Sequence, residues 1–97
     1  MAEIPQPSRR FAANLRRLRE VASFSQEELT FRADIHRTQI SLIEGGKRMP
    51  RLDTLVKLAG ALGVTTDDLV DGITWEPYEQ LAGGFAVAPE EGDHDGR

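Results

Sequence analysis

Residues 25–44 encode two helices that are each too short to stand alone. Ser25 and Glu28 form S-x-x-E, a capping box, and Phe24 and Leu29 flank it as a hydrophobic staple. The helix that starts there runs from about Gln26 to Ala33, roughly two turns. Asp34-Ile35-His36 interrupts it, and aspartate tolerates the left-handed backbone that turns a chain sharply. A second short helix spans about Arg37 to Glu44, with Ile40 and Ile43 as its buried stripe. Gln39, three residues after His36, offers half of another capping box, and Gly45 or Gly46 suits a left-handed helix end. Isolated helices below about 12–15 residues are marginal in water. Both helices therefore need a surrounding helical frame, which points to an all-α domain.

The rest of the chain supplies that frame. Ser8 can cap a first helix on which Phe11, Leu15, Leu18 and Ala22 recur on one face, with Arg16, Arg17 and Glu20 toward solvent. After Pro50, Leu52, Leu55, Leu58, Ala59 and Leu62 line one face of a fourth helix that Gly63 ends. Thr65 and Asp68 form T-x-x-D, with Val64 and Leu69 as a second staple, and start a short fifth helix that stops at Gly72. No large apolar face is expected to remain on these helices once they have packed. Ile73-Thr74-Trp75 and Phe85-Ala86-Val87 are strand-forming, separated by Pro77 and Gly83-Gly84, and suit a hairpin. The expected division is a flexible arm over 1–7, a five-helix domain over 8–72, an extension over 73–87 and a disordered acidic tail over 88–97.

Composition bounds the function. A helical domain of roughly 60 residues buries only about 60% of its unfolded surface, which leaves little room for a second ligand-binding or catalytic unit. The absence of cysteine removes disulfides and thiolate metal sites. No apolar run approaches a membrane span or a signal-peptide core, so a cytoplasmic setting is the default expectation. The formal net charge of −4 hides an asymmetry. Residues 1–51 hold ten cations against six anions, net +4, and residues 52–97 hold two against ten, net −8. Such a split marks a basic binding face beside an acidic remainder, or simply an unevenly charged solvated surface.

Two short helices around a tight turn inside a five-helix domain make a helix-turn-helix, whose second helix enters the DNA major groove with its N-terminal residues at base edges. Here that helix begins with Arg37, Thr38 and Gln39, all suited to phosphate or base contacts, and arginine can bond guanine bidentately. Residues 9–72 resemble the Cro/repressor-type, or XRE-type, helix-turn-helix family with its lambda-repressor-like fold. The resemblance rests on Ser25-Gln26-Glu27-Glu28-Leu29, Ile40-Ser41-Leu42-Ile43-Glu44, Gly46-Lys47-Arg48-Met49-Pro50 and the run from Leu55 to Val64. Three positions depart from the family pattern: Thr30 replaces an alanine, Asp34 a turn glycine, and Arg51 a capping serine or threonine.

The resemblance implies roles. Arg37, Thr38, Ser41 and Leu42 would meet base edges, with Leu42 able to touch a thymine methyl or to serve as core. Gln26, Gln39, Lys47 and Arg48 would bond phosphates, which fix register while base contacts specify sequence. Arg19 and Glu44 would form an ion pair between the first and third helices, which gives a reason for a carboxylate at the unfavourable, negative end of a helix. The partner would be double-stranded DNA, a palindromic operator bound by a homodimer. Apart from the resemblance, Ile73, Trp75, Phe85 and Val87 of the extension are apolar residues left over, which either help two copies pair or, for Trp75 and Phe85, cover the domain's own helices. The finer readings are a transcription regulator, an antitoxin with a toxin partner, or a restriction-modification controller. No cofactor, metal or membrane is expected, since His36 and His94 lack a ligand cluster. Glu27-Glu28 and Asp67-Asp68 fall in first helical turns, where anions favour the dipole, so neither pair argues for an enzyme.

Overall fold

Five helices and a hairpin follow one another along the chain: α1 (Pro7–Val21), α2 (Gln26–Ala33), α3 (Arg37–Glu44), α4 (Leu52–Leu62), α5 (Thr66–Leu69), β1 (Ile73–Glu76) and β2 (Gly84–Val87). This computed structural model describes residues 7–77 and 83–89. Of the expected arm only Pro7, and of the expected tail only Ala88 and Pro89, fall within those residues; the rest of both lies outside them.

The apolar stripes read from the sequence converge on one core. Phe11 and Leu15 of α1, Leu29 and Ala33 of α2, Ile40 and Ile43 of α3, Leu58 and Ala59 of α4, and Leu69 of α5 are all buried, with Ile35 of the turn among them. Each large side chain so buried contributes about 1.5–3 kcal/mol. α1 packs on α3, α5 and both strands, and α2 packs on α3 and α4. The short α3 is thus held from two sides while its outer face stays open.

Helices α1 to α4 all end in the same way. Ser23, Asp34, Gly46 and Gly63 adopt left-handed backbone, with φ of 63°, 56°, 74° and 71°. In each case the next N–H returns to a carbonyl five residues back: Phe24 to Arg19, Ile35 to Thr30, Lys47 to Leu42 and Val64 to Ala59, at 3.1, 3.2, 2.9 and 3.0 Å. This Schellman closure satisfies carbonyls that a helix end leaves open. Two of the four left-handed residues carry a Cβ, which costs roughly 1–2 kcal/mol in this conformation, less for aspartate. Replacing Asp34 by glycine is expected to stabilise the domain by up to about 1 kcal/mol, the strain relief exceeding the added unfolded-state freedom. Thermal unfolding of Asp34→Gly checks this; an unchanged or lowered midpoint would show that the turn is unstrained.

Several local expectations need correction. α1 starts at Pro7 rather than after a Ser8 cap; proline suits the first helical position because its missing N–H is not needed there. Ser25 Oγ does accept from the Glu28 N–H at 3.0 Å, but the Glu28 carboxylate turns to Arg32 Nε at 2.7 Å instead of completing the box. The Arg32 guanidinium also lies over the Phe24 ring, 4.4 Å from its centre. His36 makes no side-chain cap bond. Arg51 makes none either, and Asp53 Oδ1 takes up the Thr54 N–H at 2.8 Å. Leu52 does not join the core face of α4 and is largely exposed. Thr65 and Asp68 form the full reciprocal box.

Asn14 ties α1 to the start of the hairpin. It is buried, and its Nδ2 donates to the carbonyls of Leu69 and Asp71, both at 2.9 Å. Its Oδ1 accepts from Arg10 Nε at 3.2 Å, and Arg10 also donates to the Ala88 carbonyl just after β2. The strands run antiparallel with Ile73 opposite Val87 and Trp75 opposite Phe85. Ile73 packs against the core. Further out, Trp75 and Phe85 meet edge to face, centres 5.2 Å apart, and Gly83 leaves the space that the Trp75 ring occupies.

Candidate nucleic-acid interface

α3 is oriented by its last residue. Glu44 is only 3% exposed. Its carboxylate accepts from Arg19 Nε at 2.6 Å and Arg19 Nη2 at 3.0 Å, a two-pronged pairing of guanidinium and carboxylate. Gln26 Nε2 donates to the same carboxylate at 2.9 Å. Arg19 Nη1 donates to the Phe24 carbonyl at 2.8 Å, so the guanidinium also pins the α1–α2 turn. Three helices therefore meet at one carboxylate: Arg19 from α1, Gln26 from α2 and Glu44 from α3. The hydrogen bonds to Glu44 raise the Arg19 pKa above its already high ordinary value, against the opposing effect of burial. Arg19 stays charged at any working pH.

Arg16 faces solvent as expected. Its chain is exposed, yet Nη1 donates to the Glu44 carbonyl at 2.8 Å. A cation at the C-terminal end of α3 is favoured by the helix dipole, and together with Arg19 it offsets the misplaced carboxylate. Gly46 then closes the helix in left-handed backbone, and a Cβ there would stand 3.4 Å from Arg9 Cγ. The turn after α3 thus lies close against the start of α1, with Lys47 and Arg48 directly following.

The outer face of α3 holds the residues singled out for base contact. Arg37 and Ser41, one turn apart, and Thr38 beside them are exposed. Leu42 is half-buried at the margin, between groove face and core, and Gln39 lies further round on the flank that turns inward, also half-buried. Lys47 and Arg48 are exposed. Among the described residues, Arg37, Lys47 and Arg48 form no ion pair with the protein. Gln26 is half-buried at the start of α2. One amide N–H of its Nε2 is committed to Glu44, and a second remains for an outside acceptor. The structure thus brings Arg37, Thr38 and Ser41 together on one face, with Lys47 and Arg48 in the turn that follows it.

Besides the Arg16 bond, two further participants escaped the sequence reading. The Gln26–Glu44 bond joins residues 18 apart with no local signal. Asn14 did leave one: it stands three residues after Phe11 and next to Leu15, a polar residue within an apolar stripe. No group of three or more His, Cys, Asp or Glu side chains gathers among the described residues, and no described helix is long and apolar enough to cross a membrane.

Residues 15–69 match the family described as Helix-turn-helix. The chain is 44% identical over 71 residues to the control protein C.BamHI of Bacillus amyloliquefaciens, covering 72% of this chain and 88% of that one. It is 36% identical over 66 residues to the uncharacterized HTH-type transcriptional regulator y4dJ of Sinorhizobium fredii, covering 68% and 86%. The restriction-modification controller protein C.AhdI of Aeromonas hydrophila superimposes with a TM-score of 0.62 at 34% identity, over 64% of this chain and 94% of that one. With the short capped helices, the buried Arg19–Glu44 junction and the open face of α3, these likenesses lead to one conclusion: the chain belongs to the helix-turn-helix family.

Proposed function

We propose that this chain is a sequence-specific, double-stranded-DNA-binding transcription regulator of the restriction-modification controller kind. One observation carries the reading: a buried three-helix junction fixes α3 while Arg37, Thr38 and Ser41 stand open on its far side. In this reading Arg37, Thr38, Ser41 and Leu42 meet base edges, and Gln26, Gln39, Lys47 and Arg48 bond phosphates. Arg37 supplies the bidentate donor that guanine accepts, and Leu42 an apolar contact for a thymine methyl. One such helix reads only a few base pairs, so two copies on a two-fold operator supply the specificity. Among the finer readings the controller has C.BamHI and C.AhdI behind it, and a toxin-neutralising role has no observation in its favour. The setting is the cytoplasm, where the operator lies.

The test is a duplex titration at several salt concentrations. Cations that neutralise phosphates release counterions, so log affinity should fall linearly with log salt, with a slope near −0.9 per phosphate contacted. Four phosphate contacts per copy from Gln26, Gln39, Lys47 and Arg48 include two cationic ones, so the slope should exceed that of a single neutralised phosphate. A flat salt response would remove the reading, and so would equal binding by a protein of the same net charge.

A further inference from the structure

A helix that enters the groove with its first residues at the bases comes out at the phosphates. α3 has eight residues, so it is about 12 Å long, and the major groove is about 12 Å wide. With Arg37 at base edges, the Glu44 end therefore lies at the sugar-phosphate wall. A bare helix end is unsuited to that place, because its carbonyls carry the negative pole of the dipole and repel a phosphate. The backbone N–H groups that follow are already taken. Gly45 donates to the Ser41 carbonyl at 2.9 Å, Gly46 to Ile43 at 3.1 Å and Lys47 to Leu42 at 2.9 Å. A donor to a phosphate at this end must come from a side chain.

We infer that α1 supplies that donor: Arg16 bonds a DNA phosphate at the exit of α3, which makes the first helix part of the DNA-contacting surface. The inference rests on the DNA reading above. Arg16 is exposed, and its Nη1 donates to the Glu44 carbonyl at 2.8 Å. That bond covers the helix end with a cation and holds the guanidinium there. A guanidinium carries five N–H donors in a fixed fork, so the others stay open to an outside acceptor. Its charge is not neutralised within the protein. Among the described residues Arg16 forms no ion pair, although Glu20 stands one turn further along α1. Guanidinium also matches phosphate geometry bidentately, as an ammonium does not.

The surroundings suit an approaching strand. Gly45 and Gly46 place no side chain between the Arg16 contact and the exposed Lys47 and Arg48. A Cβ at Gly46 would stand 3.4 Å from Arg9 Cγ, so the start of α1 lies against the same turn. Arg16 and Lys47 thus stand on either side of a bare stretch of backbone. Two arginines of α1 divide Glu44 between them. Arg19 takes the buried carboxylate and fixes α3, while Arg16 takes the main-chain carbonyl and keeps its other donors outside. Arg17, also exposed, makes no bond to α3, so nothing holds it toward the groove. The rival reading is that Arg16 only caps α3. Capping needs one donor and leaves the salt dependence of DNA binding unchanged.

Titrations of the full chain at several salt concentrations test this, against a random-sequence duplex and against a duplex recovered by selection from a random pool. Arg16→Ala should make the slope of log affinity on log salt shallower by about 0.9, so that a fourfold rise in salt weakens binding about 3.5-fold less. Both duplexes should lose affinity by the same factor, leaving preference intact. Arg16→Gln, which keeps a donor without the charge, should lose the slope as alanine does, and Arg16→Lys should keep it. Those two decide the matter even if Arg16→Ala fails to fold. Lys57→Ala, which removes the same charge from α4, should leave the slope unchanged. A slope untouched in Arg16→Ala and Arg16→Gln overturns the inference, as does an equal loss in Lys57→Ala or a loss confined to the selected duplex. A flat salt response by the unmodified chain instead overturns the DNA reading itself, and this extension with it.

Discussion

Replacing Arg19 by alanine is expected to cost about 3–5 kcal/mol, because it leaves Glu44 charged, buried and without a cation. Glu44 is 3% exposed, and Arg19 supplies two of the three donors to its carboxylate. The third, Gln26, is neutral and cannot replace the charge. A domain of this size has about 5–15 kcal/mol of total stability, so the loss is a large fraction of it. Arg16→Ala is the control. Arg16 bonds the carbonyl of the same residue, but its side chain is exposed, and a cation near a helix C-terminus is worth only about 0.3–1 kcal/mol. Denaturant midpoints of the two variants check the difference. Equal midpoints would mean that the junction at Glu44 does not hold α3. Glu44→Ala should resemble Arg19→Ala in kind, since it strands the Arg19 guanidinium.

Arg37→Ala and Lys47→Ala should separate two kinds of contact. Loss of a bidentate base contact costs about 1–3 kcal/mol on the preferred site and relaxes preference at one base pair. Loss of a phosphate contact weakens all sequences alike and reduces the salt slope by about 0.9. Both side chains are exposed and make no ion pair among the described residues, so neither change should move the unfolding midpoint. Titrations of each variant against a preferred and an unrelated duplex read the effects directly. If both variants lose the same preference by the same amount, the division between reading and anchoring is wrong.

How much was legible in the sequence differs between elements for physical reasons. Helix limits were legible where the signal is local: α2 and α3 run Gln26–Ala33 and Arg37–Glu44 as read, because caps and left-handed turns are coded by adjacent residues. Asp34 takes the left-handed turn that its side chain tolerates. The hairpin itself was legible in the strand-forming residues either side of Pro77 and Gly83-Gly84, whereas its register, Ile73 opposite Val87, was not, because alternation fixes a shared face and not the partner across it. Legibility failed where a residue had a choice of partners. Glu28 had both Ser25 and Arg32 within reach and took the arginine, a choice that Phe24 reinforces by stacking under the same guanidinium. Leu52 obeys the apolar spacing of α4 but lies at the helix start, where the body no longer covers it. Thr30, in place of the family's alanine, is left with a buried hydroxyl that has no partner in the structure, a packing cost that the sequence pattern only hinted at. Spacing could show which residues share a face, not whether anything packs against that face.

The central claim, that the open face of α3 reads duplex sequence, is tested most directly by selecting bound DNA from a random duplex pool at physiological salt. The account predicts recovery of an inverted repeat whose half-sites lie about 34 Å apart, one helical turn of DNA, and loss of one position of that motif when Arg37 is alanine. A recovered pool as random as the input would contradict it.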